Sequence, residues 1–161
     1  MSQTTTYRPA GPHDVPALAR IRAAERGSED YWQQRISGYL AATHNAQHSL
    51  PPRIIYIAMN GEEAVGFIAG HLTRRFHCDG ELEWINVAEQ HRGSGIADEL
   101  LRLLAKWFAE QNAFRICVDV SPDNAVARRF YSRHGATEFK PSWMIWDDIR
   151  IVIPRPEKSP T

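Results

Sequence analysis

Apolar residues recur along this chain with two different periods, and the longer period predicts four helices. The first helix begins at Asp14, the expected cap, with Pro16 in its first turn, and a second covers Tyr31–Leu40. The third is predicted by an apolar stripe at helical spacing, formed by Ile96, Leu100, Leu103, Leu104, Trp107 and Phe108. The fourth covers Asn124–His134 and ends at Gly135, since glycine favours the left-handed backbone that closes helices.

The shorter period, together with runs of β-branched and aromatic residues, predicts the strands. They are Thr5–Pro9, Arg53–Met59, Ala64–Leu72, Glu81–Val87, Phe114–Val120, Thr137–Trp146 and Arg150–Ile153. Asn60-Gly61 predicts a hairpin turn, Asp79-Gly80 predicts another turn, and Pro51-Pro52 is expected to end whatever structure precedes it. The order of elements predicts one mixed α/β domain over residues 1–153, and the proline- and charge-rich Pro154–Thr161 is expected to be a flexible tail.

Composition narrows the range of partners. Basic and acidic residues number 19 each, so the chain lacks the strong positive charge of a typical nucleic-acid binder. Cys78 and Cys117 lack the spacing of a redox pair or a zinc site, which predicts two reduced thiols. No apolar run is long enough to cross a bilayer, and the N-terminal segment has no signal-peptide core. We therefore expect a soluble cytoplasmic protein with neither nucleic-acid nor membrane partners.

The stretch Gln90–Ala97 joins a predicted strand to a predicted helix and is suited to binding phosphate. The first N–H groups of a helix lack acceptors within the helix, and the helix dipole is positive there. Gly93 and Gly95 allow close approach and positive φ angles, while Arg92 adds a cation. A tight structural turn would need the same glycines. The stretch lacks the GK[ST] of a P-loop and the third glycine or alanine of a dinucleotide fingerprint.

Two motifs, in the right order and on the right elements, resemble those of the GNAT acetyltransferase superfamily. Gln90–Gly95 matches its [QR]-x-x-G-x-[GA] signature, and Asn124–Ala136 is similar to its N-x-x-A-x-x-F-Y-x-x-x-G-[FA] segment. The chain departs from the family at Glu89, where proline is frequent, and at Asn86, where an aromatic residue is frequent. The resemblance implies an α/β fold with a central mixed, mostly antiparallel sheet of six to seven strands flanked by about four helices.

The resemblance also implies an enzyme that transfers an acetyl group directly from acetyl-CoA to a primary amine of a small molecule or a protein. The implied acetyl-CoA-binding residues are Ile85, Val87, Arg92, Gly93, Ser94, Gly95, Ile96, Ala97, Asn124 and Tyr131. Backbone N–H groups of Arg92–Ala97 would hold the pyrophosphate. The edge of the fourth strand near Ile85–Val87 would pair with the pantetheine amides, and its end would polarise the thioester carbonyl. The ribose phosphate would meet His91, Arg128 or Arg133; the alternative for the two arginines is that they are only solvated on the surface of their helix.

Acetylation of an amine needs a base and an acid. An alkylammonium ion titrates at roughly 10 and must lose a proton before it attacks. Glu81 and Glu83 share a strand face because side chains alternate, so either is a candidate base, and Glu83 is preferred as the nearer to the expected cofactor. The structural alternative is that both glutamates simply face solvent. Tyr131 matches the position of the family's acid, which protonates the departing thiolate; a packed aromatic beside Phe130 is the structural alternative. Asn124 would bond to pantetheine or to the backbone, or only start its helix.

The sequence does not identify the acceptor amine. Candidate pocket residues combine acids with aromatics, which would suit a cation and would equally suit a core with a solvated surface: Glu25, Glu29, Asp30, Tyr31, Trp32, Tyr39, Trp143 and Trp146. No metal is assigned, because the histidines show no metal-ligand spacing, among them His44, His48, His71 and His77. The alternative functions are a non-catalytic acyl-CoA-binding module of the same fold and, disfavoured by its missing third glycine, a nucleotide-dependent oxidoreductase. A homodimer is expected by analogy alone.

Overall fold

The computed structural model describes residues 4–43 and 48–154, which form a seven-stranded sheet in the order β1-β2-β3-β4-β5-β7-β6. The strands are β1 Thr5–Pro9, β2 Leu50–Asn60, β3 Glu63–Leu72, β4 Gly80–Val87, β5 Ile116–Asp119, β6 Thr137–Lys140 and β7 Trp143–Trp146. The helices are α1 Val15–Ala23, α2 Glu29–Leu40, α3 Ile96–Glu110 and α4 Ala125–Arg133. Among the described strands, β4 and β5 pair in parallel and the other neighbours pair antiparallel. The predicted mixed, mostly antiparallel architecture is confirmed.

Helices cover both faces of this sheet. On one face, α1 and α2 pack on β2, β3 and β4 around Trp32, Tyr39 and Trp84. On the other face, α3 buries the apolar stripe that the sequence predicts, with Leu100 and Leu104 among its fully buried residues. Burying one such side chain stabilises the fold by about 1.5–3 kcal/mol, so these two layers hold the central strands firmly in place.

The end of the chain differs from its predicted form. The sequence predicts one strand over Thr137–Trp146, but a turn after β6 divides this segment into an antiparallel pair, β6 and β7. Arg150–Ile153 is predicted to be a strand and lies instead in a 3-10 helix at Ile149–Val152. The carboxylate of Asp148 caps that helix by accepting a hydrogen bond from the N–H of Arg150 at 3.0 Å. The helix packs its apolar side on the core under α3, so the apolar residues that suggest a strand form one face of a short helix instead.

Two further local predictions are wrong. Pro51-Pro52 does not end an element; both prolines lie within β2, at a shift in register where the ladder is interrupted and fewer N–H donors are needed. Asp14 occupies the cap position of α1 but does not cap it. Its carboxylate accepts hydrogen bonds from Arg8 at 2.8 Å and from the N–H of Gly11 at 2.9 Å. The ion pair with Arg8 lowers the pKa of Asp14 to about 2. Arg8 therefore binds the carboxylate that is expected to cap the helix.

The strands β4 and β5 separate along their length. Residues 80–82 of β4 pair with residues 116–118 of β5, and within the described residues β5 pairs with no later part of β4. The opposite edge of β4 stays paired with β3 as far as Val87. A register shift beside Ala69 and Gly70 leaves Glu83 as an extra residue on β4, a β-bulge that bends the strand. The second half of β4 therefore presents an open edge.

Three remaining expectations concern the thiols, the membrane and the tail. Cys78 and Cys117 are buried and unbridged, as predicted. None of the helices in the described ranges is both long and apolar enough to cross a membrane. His44 and the predicted tail after Pro154 lie outside the described residues.

Candidate functional site

The predicted phosphate-binding turn is open and has the backbone conformation that favours glycine. Gly93 and Gly95 have φ angles of 80° and 87°, both in the left-handed region. A β carbon built on either glycine would meet no atom within 4 Å, so both face free space. The helix α3 begins directly after Gly95, and Glu99 is the donor to the Gly95 carbonyl. The N–H groups of residues 96–98 therefore have no acceptor within the helix, as an anion site requires.

A first cavity, of about 710 Å³, extends from this turn along β4 to α4. Of the residues expected to bind acetyl-CoA, it is lined by Ile85, Val87, Arg92, Gly93, Gly95, Ile96, Ala97, Asn124 and Tyr131. Two of the candidates for the ribose phosphate, His91 and Arg133, also line it. The third, Arg128, does not; its guanidinium donates to the carbonyls of Val120 and Pro141 at 3.2 and 2.6 Å and so ties α4 to the late strands.

The side chains of Arg92 and Ser94 bond to the protein itself. The hydroxyl of Ser94 donates to the carbonyl of His91 at 2.6 Å, and Ser94 does not line the first cavity. Arg92 donates through Nε to the carbonyl of Val87 at 3.0 Å and through a terminal nitrogen to Glu25 at 2.8 Å. The Arg92 cation lies at the turn as predicted, but it forms an ion pair with Glu25 that partly neutralises its charge. Both partners are about half exposed, so this ion pair contributes little stability.

Tyr131 lies where the first cavity meets a second one, and it lines both. Its ring is buried edge-on against Phe130 and Trp146, at centroid distances of 5.5 and 5.7 Å, so it also fills the packing role. Burial raises the pKa of Tyr131 and keeps the phenol protonated. Asn124 also lines both cavities, and its side chain accepts a hydrogen bond from the N–H of Ala127 at 3.1 Å. Asn124 therefore starts α4, one of its expected alternatives.

The second cavity, of about 730 Å³, lies between α1, α2 and the separated strands. Glu81 and Glu83 both line it, on one face as the alternation of side chains predicts. Nε of Arg75 donates to Oε1 of Glu81 at 3.1 Å. The two cavities join around Tyr131, with Ile85 also lining both. The arrangement connects the open turn to a pair of buried carboxyl groups.

Burial and mutual proximity keep a proton on the glutamate pair near neutral pH. Burial raises the pKa of Glu81 to about 8; the charge of Glu83 acts in the same direction, and Arg75 opposes it. Burial also raises the pKa of Glu83, while Arg35 and a hydrogen bond from Glu81 oppose that rise. The two carboxyls titrate as a pair, so near neutral pH they retain one proton between them and one of them carries the negative charge. The site therefore holds one carboxylate ready to accept a proton.

His71 adds a third titratable group. Its Nδ1 lies 2.8 Å from the hydroxyl of Tyr39 and 3.9 Å from Glu83, and its Nε2 lies 3.9 Å from Glu81. Among the described residues, His71, Glu81 and Glu83 bring three potential metal ligands within 4.8 Å of one another. Spacing along the sequence does not reveal this group because β3 supplies the histidine and β4 the glutamates. Tyr39 and Arg75 already bond to two of its members, and the absence of a metal stays a prediction.

The residues expected to hold the acceptor divide between this cavity, the core and the surface. Four of them line the second cavity: Glu25, Tyr31, Trp32 and Trp143. Tyr39 and Trp146 are fully buried, one in each core, so the structural alternative holds for them. Glu29 and Asp30 are exposed on the first turn of α2 and do not line the cavity.

Arginines of the second cavity are the residues that sequence reasoning missed. They are Arg22, Arg26, Arg35 and Arg75. A signal is present for two of them: Arg22 follows Leu18 by four residues, and Arg35 follows Trp32 by three. Residues three or four apart share a helix face, so each arginine lies on the apolar stripe of its helix, where a charge needs an explanation.

Comparisons with known proteins agree on one family. The protein-family model described as the acetyltransferase (GNAT) family matches residues 19–136, which is most of the chain. An uncharacterized N-acetyltransferase from Methanocaldococcus jannaschii is 29% identical over 113 residues, and the match covers 70% of each chain.

Solved structures with the same fold cover most of this chain at low sequence identity. Ard1 from Thermoplasma volcanium has a TM-score of 0.71 and 21% identity, covering 88% of this chain and 95% of its own. A PaiA N-acetyltransferase from Thermoplasma acidophilum, in complex with coenzyme A, has a TM-score of 0.68 and 14% identity, covering 90% and 99%. An aminoglycoside N-acetyltransferase in complex with CoA has a TM-score of 0.71 and 20% identity, covering 87% and 92%. At these identities, the likeness shows the fold.

Proposed function

Since the chain belongs to the acetyltransferase (GNAT) family, we propose that it transfers an acetyl group directly from acetyl-CoA to a primary amine of a small molecule or a protein. The observation that carries this proposal is the junction of the two cavities at Tyr131. One cavity leads from the open glycine turn, and the other contains the glutamate pair. A thioester entering from one side and an amine entering from the other would meet beside a single phenol.

Acetyl-CoA is assigned to the first cavity, where it would supply the activated acetyl group. The N–H groups that follow Gly95 suit the pyrophosphate, because they lack acceptors and lie at the positive end of α3. The open edge of β4 near Ile85 and Val87 suits the pantetheine amides, which would pair with it as an added strand does. The backbone N–H groups at the end of β4 are suited to polarise the thioester carbonyl.

Glu83 is proposed as the base. The attacking amine must be neutral, and an alkylammonium ion titrates at roughly 10. Glu83 is the bulged residue at the point where β4 and β5 separate, and Arg75 bonds to Glu81 instead. The pKa of Glu81 is raised to about 8, and a proton retained there would leave the negative charge on Glu83. Glu83 would accept the ammonium proton directly or through a water and pass it to solvent.

Tyr131 is proposed as the acid. The amine nitrogen bonds to the carbonyl carbon, and collapse of the tetrahedral intermediate breaks the carbon–sulfur bond. The departing thiolate takes the phenol proton, and the proton that leaves the new amide nitrogen restores the phenol. The raised pKa of Tyr131 keeps the proton available until the thiolate forms. Arg22 interacts electrostatically with this phenol and would stabilise the transient phenolate.

The direct test is an amine screen with acetyl-CoA that measures released thiol. The expected result is thiol release that depends on one class of amine and yields the N-acetylated product by mass spectrometry. The panel should include small amines, amino acids, aminoglycosides and peptides with free N-termini or lysines. Binding of acetyl-CoA without amine-dependent thiol release anywhere in the panel would instead favour a non-catalytic acyl-CoA-binding module.

Tyr131→Phe is expected to lower kcat about ten-fold or more while acetyl-CoA still binds, because the ring is kept and the acidic proton is lost. The measurements are steady-state thiol release and calorimetric binding of acetyl-CoA. Tyr56→Phe is the matched control. It removes a phenol hydroxyl from β2, outside the two cavities that Tyr131 lines, and should keep the wild-type rate. A wild-type kcat in Tyr131→Phe would remove Tyr131 from the chemistry.

A further inference from the structure

The second cavity contains more positive charge than an acceptor with an amine alone would require. Four arginines and four acids line it: Arg22, Arg26, Arg35, Arg75, Glu25, Glu81, Glu83 and Asp119. The equal numbers do not amount to full pairing. Among the described residues, Arg22 and Arg75 form ion pairs with Glu25 and Glu81, whereas Arg26 and Arg35 form none. Glu25 lies 3.9 Å from Arg22 and 2.8 Å from Arg92, which lies outside this cavity, so it divides its charge between the two arginines. An ammonium ion would enter a site whose cations are not fully balanced.

Two of these arginines have hydrogen-bonding capacity that the described chain does not use. The Nε atoms of Arg22 and Arg35 are buried, and neither has a hydrogen-bond partner among the residues described. A terminal nitrogen of Arg22 donates to Asn86 at 3.0 Å, and its guanidinium lies 4.7 Å from the ring centroid of Trp32. Both arginines interact electrostatically with Glu83. They thus approach the same part of the cavity from adjacent helices.

Such guanidinium groups are costly to bury unless an anion completes their bonding. Burial lowers the pKa of Arg22, and the charges of Glu25 and Glu83 oppose that fall, while its buried Nε still has no hydrogen-bond partner among the described residues. The planar donors of a guanidinium match the oxygens of a carboxylate or a phosphate, often with two parallel hydrogen bonds. A second guanidinium from the next helix strengthens this preference for an oxyanion.

We propose that Arg22 and Arg35 form an anion subsite, and that the acceptor is therefore an amine that also carries a carboxylate or a phosphate group. The anion would contact the two arginines while the amine faces Glu83. This inference rests on the proposed acetyl transfer for the role of the amine, and it adds the second group that the acceptor must carry. Amino acids, short peptides with a free carboxyl group and phosphorylated amines have this combination.

The test compares binding of matched ligands that differ only in the anion. Calorimetry in the presence of coenzyme A would measure each common amino acid against its carboxamide, and phosphoethanolamine against ethanolamine. We expect at least one anionic ligand to bind about ten-fold more tightly than its neutral partner, and the two arms distinguish carboxylate from phosphate. Arg35→Gln and Arg22→Gln should each reduce that ratio to about two-fold or less, since one charged donor is lost.

The control is Arg20→Gln, which removes the same charge from an exposed position on α1 outside the second cavity and should keep the ratio. The subsite is wrong if no anionic ligand binds more tightly than its neutral partner, or if Arg35→Gln and Arg22→Gln both retain the wild-type ratio. Thiol release in the same panel tests the enzyme separately. Anion-dependent binding without thiol release would reject acetyl transfer and keep the subsite. Thiol release that is equally fast with anionic and neutral amines would keep acetyl transfer and reject the subsite.

Discussion

Glu83→Gln is expected to lower kcat about a hundred-fold or more, the usual contribution of a general base. Glutamine keeps the size of the side chain and much of its hydrogen bonding, but it cannot take a proton from the incoming ammonium ion. The variant also preserves the bulge of β4, because the backbone is unchanged. The measurement is steady-state thiol release at saturating acetyl-CoA, with an amine that the wild-type protein acetylates.

The dependence of the rate on pH gives a second result for the same variant. Burial raises the pKa of Glu83, so its carboxyl group stays protonated to a higher pH than that of an ordinary glutamate does. Wild-type kcat/KM should therefore rise as the pH increases through that raised pKa. Glu83→Gln should lack this limb, while the rise due to ionisation of the amine, centred at roughly pH 10, should be present in both proteins.

The control for this prediction is Glu62→Gln. Glu62 is an exposed residue of the β2–β3 hairpin outside the cavities that meet at Tyr131, so its loss should leave kcat unchanged. A wild-type kcat in Glu83→Gln would exclude Glu83 as the base. A larger loss in Glu81→Gln than in Glu83→Gln would transfer the role of base to Glu81.

The glycine turn could be predicted from the sequence because its signal is local. Two glycines with left-handed φ angles, a helix that starts directly after them and an uncapped first turn are all properties of consecutive residues. The same is true of α4, where Asn124 and Gly135 mark the two ends. These segments needed no knowledge of the rest of the chain, and the structure reproduces them.

The acceptor cavity could not be predicted in this way because each part comes from a different element. His71 on β3 and Glu81 on β4 become neighbours through strand register alone. Arg75 arrives from the loop between those strands and Arg35 from α2, and neither distance follows from spacing along the chain. The pKa of the glutamate pair depends on the resulting burial, so its chemistry is a property of the assembled fold.

Arg150–Ile153 is predicted wrongly for a different reason. Its apolar residues fit a strand as well as a short helix, and the local pattern does not distinguish the two. The capping carboxylate of Asp148 and the apolar surface beneath α3 decide in favour of the helix. Tertiary contacts overrule local preference here, as they do at Asp14, where Arg8 competes successfully for the expected cap.

Gly95→Trp is expected to weaken acetyl-CoA binding by more than about a hundred-fold, equivalent to about 2.7 kcal/mol. A β carbon at Gly95 would meet no atom within 4 Å, so an indole there would extend into the first cavity and fill the space that the pyrophosphate needs. It would also separate the ligand from the N–H groups at the start of α3. Calorimetry with acetyl-CoA measures the loss, and thermal unfolding checks that the variant remains folded.

Gly95→Ala separates this steric effect from backbone strain. Gly95 has a φ angle of 87°, which any side chain disfavours, so alanine and tryptophan carry the same strain of roughly 1–2 kcal/mol. Alanine fills little of the cavity, and its affinity for acetyl-CoA should fall far less than that of the tryptophan variant. Equal losses in both variants would attribute the effect to the backbone of the turn. Unchanged affinity in Gly95→Trp would place the pyrophosphate elsewhere, because no ligand could occupy the turn beside that indole.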